Sequence, residues 1–247
     1  MSVIRNFGVA VVLCSVLLQG CATGAVDDSA RDPLEPLNRF VYRINKTIEK
    51  TVVLPVAWLY LEKAPKPVRN SVQNVLDNLS LPITFANDLL QGEVTRAGNT
   101  TGRFVINSTI GLGGVLDIAA AWGLPQHTSD FGQTLSVYGV GEGPFIVLPI
   151  FGPDCLRDLS GQVVDLSMDP FNYVAFQGSL RDAIQWDLSR GFLRGLEPRA
   201  RGIIITEDLS NGSFDEYVSM RNVYRQLRAA ELRAREGHGF QGLPDMP

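Results

Sequence analysis

The chain has 247 residues, of which 45% are hydrophobic and only 19% charged, with a formal net charge of −4. A charge share below the ~25% usual in soluble domains points to apolar surface turned toward lipid, and the mild acidity gives no case for a nucleic-acid partner. Two histidines and three cysteines leave little material for metal or redox chemistry.

The N-terminus reads as an export signal: Arg5 supplies a basic start and Phe7 to Leu18 an apolar stretch too short to remain as a spanning helix. Leu18-Gln19-Gly20-Cys21 then places a cysteine after a small residue, the pattern of a bacterial lipoprotein signal. Residues 1–20 are expected to be removed and Cys21 to carry acyl chains. Each buried methylene contributes about 0.8 kcal/mol, so a diacylglyceryl group plus an amide-linked chain holds firmly where one chain does not. Ala22 in place of Asp resembles lipoproteins sorted onward to the outer membrane. Losing the signal removes Arg5 and Cys14, leaving 21 basic against 26 acidic residues and Cys155 as the one unmodified thiol, so no intramolecular disulfide is expected. Residues 21–31 form the lipidated start and a small, polar tether.

The folded body is expected from residue 32 to 236. Asp32-Pro33 reads as an N-cap and first helical position, followed by Leu34, Leu37, Phe40, Val41, Ile44 and Ile48 at helical spacing, with Glu35, Asn38, Arg39, Arg43 and Lys46 on the other face. Val52 to Leu61 carries no charge and is half the length of a spanning helix. After Pro65-Lys66-Pro67 a second helix fits Val68, Val72, Val75, Leu76 and Leu79, and Pro82 reads as the start of a third reaching Leu90. A fourth pattern follows Gly92 with Val94, Ala97, Phe104 and Val105, placing Arg96 and Arg103 on other faces. Ile110 to Leu124 is almost wholly apolar, with Asp117 as its one acid and four glycines that weaken a simple helix. The middle third is rich in glycine, and Pro144 and Pro149 bracket a short extended segment. Helical spacing returns at Leu156, Leu159, Val163 and Val164. Ser179 with Asp182 and Ser213 with Glu216 resemble capping boxes for two further helices. The last helix carries Arg221, Arg225, Arg228, Arg233 and Arg235, which suit either a solvated face or a dock for an acidic partner or anionic headgroups. Residues 237–247 form a frayed tail.

Catalytic material is sparse. His127 in Pro125-Gln126-His127-Thr128-Ser129-Asp130 permits a Ser/His/Asp arrangement on paper, yet no Gly-x-Ser-x-Gly elbow exists, and a loop or capping role fits the histidine better. His238 sits in the tail. Gly139-x-Gly141-x-Gly143 fails as a phosphate loop because Pro144 follows directly, so it reads as a flexible turn. Cys155 reads as a small buried apolar residue. No enzyme activity, cofactor or metal is expected.

Several blocks in order resemble the MlaA (VacJ) lipoproteins of outer-membrane lipid asymmetry. These are Asp32-Pro33-Leu34-Glu35-Pro36-Leu37-Asn38-Arg39 with Tyr42 and Asn45, Pro65 to Asn70, Arg103 to Gly111, and Gly113-Gly114 with Asp117. Phe131-Gly132-Gln133-Thr134-Leu135 follows, then Tyr138 to Pro144 with Leu148-Pro149, Gly152-Pro153 and Arg157-Asp158. The resemblance implies a mainly α, single ring-like bundle of amphipathic helices lying in one leaflet, with a glycine-rich hairpin in the middle and a polar-lined channel. It also implies that phospholipids pass from the outer leaflet to a periplasmic MlaC-like carrier for retrograde transport, and that some members associate with trimeric porins. On that basis Asn38, Arg39, Arg103, Asn107 and Ser108 are candidates for lining the channel, and Gly139, Gly141 and Gly143 for gating it. The rival functions are an adaptor that recruits carrier or porin without conducting lipid, and a lipid-anchored phospholipase.

Overall fold

The computed structural model of the chain describes residues 32–172, 179, 181–196 and 215–235. Cys21, the signal 1–20, the tether, Ser213, His238 and the tail 237–247 lie outside the described residues.

Asp32 accepts hydrogen bonds from the Leu34 N–H at 3.1 Å and from Asn38 Nδ2 at 3.2 Å, and the first helix, α1, runs Glu35–Ile48 behind this turn with Pro36 in its first turn. The helix therefore starts two residues beyond Pro33. It continues through a π turn, Glu49–Val53, into α2, Leu54–Lys63. That wider turn sits just ahead of Pro55, which has no N–H to offer the Thr51 carbonyl. The charge-free run from Val52 to Leu61 is thus helical over most of its length, and only Ala57 of α2 is buried.

Next, α3 occupies Lys66–Leu90 as one helix with Pro82 inside it, where the sequence predicts two. An interior proline costs about 3 kcal/mol in an isolated helix. Packing on both sides of the proline offsets this, because the buried residues Leu76, Asn78, Leu81, Thr84, Asn87 and Asp88 extend past it. After a tight turn at Gly92, φ 77°, α4 (Val94–Thr109) returns antiparallel to α3, as the pairs Asn78–Ser108 and Asp88–Thr100 record.

A charge-free loop, 110–116, leads to the short α5, Ile118–Ala121, whose Asp117 cap accepts the Ala120 N–H at 3.1 Å. Asp130 likewise caps α6, Phe131–Val137, accepting from Gln133 N at 2.8 Å. Strand β1 (Phe145–Leu148) pairs antiparallel with β2 (Gly152–Cys155), Phe145 opposite Cys155 and Leu148 opposite Gly152. The segment between Pro144 and Pro149 is therefore a strand, as its sequence suggests. The expected glycine-rich hairpin is corrected: residues 139–143 are a loop leading into β1, and the ladder forms from Phe-Ile-Val-Leu, whose aromatic and β-branched residues suit a pleated surface.

Helix α7 covers Leu156–Met168, α8 covers 181–196 and α9 covers Glu216–Arg235. Ala183 N donates to the Ser179 carbonyl, consistent with a helix starting after Ser179. At α9 the carboxylate of Asp215 accepts from Tyr217 N and Val218 N at 3.0 and 3.2 Å and so caps the helix, while the Ser213 box lies outside the described residues. No helix of the described residues is long and apolar enough to cross a membrane.

Two small apolar clusters hold the ends together. Ala57 and Leu196 pack with Tyr60, Leu61 and Phe192, joining α2 to α8. Phe145, Val147 and Tyr217 pack with Tyr42 and Tyr224, joining α1, the hairpin and α9, with ring centroids 5.8–6.3 Å apart at the angles aromatic pairs prefer.

Candidate functional site

The polarity of this fold is reversed. Among the described residues, buried polar and charged side chains outnumber buried hydrophobic ones, while Leu37, Phe40, Val52, Trp58, Leu59, Val94, Val105, Trp122 and many other large apolar side chains are exposed. Scattered exposed hydrophobics are ordinary, but whole helix faces of them with polar residues inside are not. On α1 the predicted apolar stripe of Leu37, Phe40 and Ile44 faces outward and Asn38 is the buried residue. On α4 the buried residues are Ala97, Thr100, Arg103 and Asn107, so Arg103 belongs to the inner face.

The inner faces of α3 and α4 border a small, partly open polar recess, lined by Asn74, Asp77, Asn78, Leu81, Arg103, Asn107, Asp117 and Gln126. Arg103, only 3% exposed, donates to Asp117 at 2.8 Å and to the Leu124 carbonyl at 2.6 Å. Asn107 donates to Asp117 at 2.9 Å and accepts the Ala119 N–H at 2.9 Å. Burial pushes Asp117 upward, but Asn107, the Ala120 N–H and Arg103 outweigh it and hold the carboxyl below the usual carboxylate range. Asn78 donates to Ser108 at 3.0 Å, while Asn78 Oδ1 and Arg103 Nε are buried without a hydrogen-bond partner. Buried polar atoms of this kind are ordinarily met by water or another polar group.

Three further polar knots lie outside the recess. Asp88, fully buried, accepts from Thr100 at 2.7 Å and Ser129 at 2.5 Å and pairs with His127 Nε2 at 2.9 Å. Burial would raise its pKa, yet His127, Ser129 and Thr100 together lower it. The Ser/His/Asp set thus forms with Asp88, but Ser129 donates to the aspartate instead of the histidine, and its hydroxyl is buried. It has the geometry of a structural knot fixing the 124–130 loop, not of an activated nucleophile. Asp165 accepts from Asn87 Nδ2 at 2.8 Å and from Phe131 N at 2.9 Å, and burial pushes its carboxyl up to about 7. Asp158 is held by Arg157 at 2.8 Å and by Arg228 of α9 at 2.8 Å.

The cationic α9 therefore turns much of its charge inward. Arg228 also binds Asp130 at 2.7 Å, Arg225 binds Glu142 at 3.2 Å, Arg221 lies 3.8 Å from Asp32, and Arg235 donates to Gln91 at 2.9 Å. Neither a solvated face nor a dock for an acidic partner describes these four arginines. Cys155 is buried, as its sequence context suggests, and burial pushes its thiol up to about 12. Asp154, Cys155 and Asp158 cluster closely enough for a metal, but Tyr224, Gln162, Arg157 and Arg228 already satisfy the carboxylates.

Of the candidates chosen from sequence, Arg103 and Asn107 line the recess and Ser108 joins it through Asn78. Asn38 lies elsewhere, donating to the Phe145 carbonyl and accepting from Val147 N, both at 2.9 Å, as a rivet between α1 and the hairpin. Arg39 pairs with Glu35 and Asp215 and lies 4.6 Å above the Tyr217 ring. Gly139 and Gly143 take positive φ, 82° and 68°, whereas a Cβ added to Gly141 meets open space. Sequence inspection overlooked Asn78, Asp88 and Asp165. A signal existed: Asn74, Asp77 and Asn78, and again Thr84, Asn87 and Asp88, share an i, i+3, i+4 spacing, the two sets ten residues or nearly three helical turns apart.

The model of the family described as MlaA lipoprotein matches residues 30–231. The chain belongs to the MlaA lipoprotein family. The intermembrane phospholipid transport system lipoprotein MlaA of Escherichia coli (strain K12) is 32% identical to this family member over 96% of the chain and 94% of its own length. The protein of the same description from Haemophilus influenzae is 33% identical over 87% of the chain and 86% of its own. A solved chain from work on the structural basis for maintenance of bacterial outer membrane lipid asymmetry superposes with a TM-score of 0.66 at 28% identity, covering 82% of this MlaA family member and 99% of that chain. A family of transport lipoproteins agrees with the expectation of a non-enzymatic protein.

Proposed function

We propose that this chain lies in the periplasmic leaflet of the outer membrane, anchored by acylated Cys21, and moves mislocalised phospholipids out of the outer leaflet to a periplasmic MlaC-like carrier, with a trimeric porin as its neighbour. In this scheme residues 1–20 are the signal, 21–31 the tether, 32–236 the transport domain and 237–247 the tail. The observation that carries the proposal is the reversed polarity: apolar helix faces outside, Arg103, Asn107, Asn78 and Asp117 inside. Water penalises such a surface, whereas acyl chains do not. The helices satisfy their own backbone bonds, so they tolerate hydrocarbon without crossing it.

A phospholipid headgroup costs several kcal/mol to move unsatisfied through hydrocarbon. An aperture lined by the polar faces of α3 and α4 lowers that barrier by offering hydrogen bonds while the acyl chains remain in lipid. Arg103, Asn107 and Ser108 line the path in this scheme. Asn38 and Arg39 hold α1 to the hairpin and α9, and the loop 139–143 adjusts the opening, tethered by Glu142 to Arg225. The wider ring-like arrangement is part of the same proposal.

The test is a deletion strain assayed for outer-leaflet phospholipid and complemented with wild type, Cys21→Ala and Asn107→Leu. Restoration by wild type and failure by Asn107→Leu, with carrier and porin complexes intact, supports a conducting path. Full restoration by Asn107→Leu favours an adaptor, and normal asymmetry in the deletion strain overturns the function altogether.

A further inference from the structure

Among the described residues only two that are not glycine hold a left-handed backbone, Leu112 at φ 56° and Ile150 at φ 72°. Such a conformation crowds Cβ against the following carbonyl, so glycine or asparagine is the unstrained choice, and a β-branched residue there is an outlier. Both side chains are also large, apolar and exposed, 70% for Leu112 and 59% for Ile150. Strain and apolar exposure thus coincide at the same two positions, where glycine would remove both.

Each tip is held in this conformation from behind. In the 110–116 loop, Gly114 N donates to the Asn107 carbonyl at 2.8 Å, and a Cβ on Gly111 would lie 2.4 Å from the Leu116 carbonyl oxygen. Asn74 Nδ2 donates to the Val115 carbonyl at 3.1 Å. At the hairpin, Asn45 grips both sides of the turn, accepting the Ile150 N–H and donating to the Leu148 carbonyl, each at 2.8 Å. Strain of this kind persists only where surrounding structure over-determines it. Both tips are free of charge and have exposed apolar neighbours, Ile110 and Leu116 for one and Phe151 for the other.

We propose that Leu112 and Ile150 are insertion tips that enter the hydrocarbon of a phospholipid monolayer. Transfer of each side chain from water to acyl chains offsets the backbone strain, which explains why glycine is not used. A protein-binding patch would surround its apolar centre with a polar rim, and neither tip has charged residues within its loop. The proposal rests on the lipid-embedded reading above for the medium, and adds which residues the fold dedicates to entering it.

The test uses the full-length acylated protein in vesicles of phosphatidylethanolamine and phosphatidylglycerol with acyl-chain-brominated lipid. Single variants Leu112→Cys, Ile150→Cys, Phe40→Cys and Glu231→Cys carry an environment-sensitive fluorophore, and buried Cys155 does not compete for label. Labels at 112, 150 and 40 are expected to be quenched by brominated lipid and shielded from aqueous iodide, with the reverse at 231. Iodide quenching at 112 and 150 with lipid quenching at 40 overturns the tips and leaves the embedded reading standing, whereas iodide quenching at all four sites overturns both. Asparagine tolerates left-handed backbone, so Leu112→Asn and Ile150→Asn should keep or raise Tm in detergent while lowering monolayer insertion roughly tenfold each. A lower Tm would mean that the side chains pack within the fold, and the proposal would fail.

Discussion

Arg228→Met removes the central rivet between α9 and the rest of the fold. The Nε bond to Asp158 spans 2.8 Å with the carboxylate only 6% exposed, whereas Asp130 is 38% and Glu231 57% exposed. A charged hydrogen bond in the buried position contributes about 1.5–3 kcal/mol. The half-exposed Asp130 bond adds at most about 1 kcal/mol, and the Glu231 bond is screened to nothing useful. Asp158 keeps Arg157 and Tyr224 as partners, so it is not orphaned, and the loss stays near 2–4 kcal/mol. Urea unfolding in detergent at pH 7, followed by circular dichroism, measures it. Arg233→Met is the control, since among the described residues Arg233 donates only to the Ala229 carbonyl at the surface and its loss should change stability by less than about 0.5 kcal/mol. Acid adds a second readout. Burial raises the pKa of Asp158, but Arg157 and Arg228 outweigh burial and lower it, so its stabilisation is present above the unfolded value of about 3.9 and disappears as pH falls through the lower folded value. The variant should lose less than wild type on acidification. Equal stability of the Arg228 and Arg233 variants would refute the assignment of α9 as an internally riveted helix.

Gly161→Ala should destabilise by about 1–3 kcal/mol, because its Cβ would lie 2.4 Å from Gly132 N where α6 crosses α7. Gly98→Ala, with nothing within 4 Å, should instead stabilise α4 by about 0.5–1 kcal/mol, and thermal melts of the pair check both signs. Asp165, pushed up to about 7 from about 3.9 when unfolded, contributes stability that is complete below the unfolded value and is lost as pH rises through about 7. Asp165→Asn should therefore flatten the fall in stability between pH 4 and 8, measured by urea midpoints. Cys155, with its thiol at about 12, should resist maleimide at pH 8 in the native protein and react fully once denatured, as mass spectrometry would show.

The helices at Glu35–Ile48 and Val94–Thr109 and the strand between Pro144 and Pro149 were legible because each carries a strong local signal of period or punctuation. Pro82 misled because a proline marks a helix start by local rules, while contacts from α4 on both sides of it hold one continuous helix. Arg103 and Asn107 were recognisable through their motif block, but Asp88 and its partners Thr100, His127 and Ser129 come from separate segments that meet only after α3 and α4 pair. The arginines of α9 were visible as a charge run, yet their acids lie at Asp32, Asp130, Glu142 and Asp158, far away in sequence.

By itself the sequence determined the positions of most helices and the family blocks, since these are written in neighbouring residues. Only the tertiary structure decided which face of each helix turns inward. Periodicity shows that two faces differ, but the direction of burial depends on the surrounding medium and on partners from distant elements. Here Asn38, Thr100, Arg103 and Asn107 found those partners inside, leaving Leu37, Phe40 and Val105 on the surface.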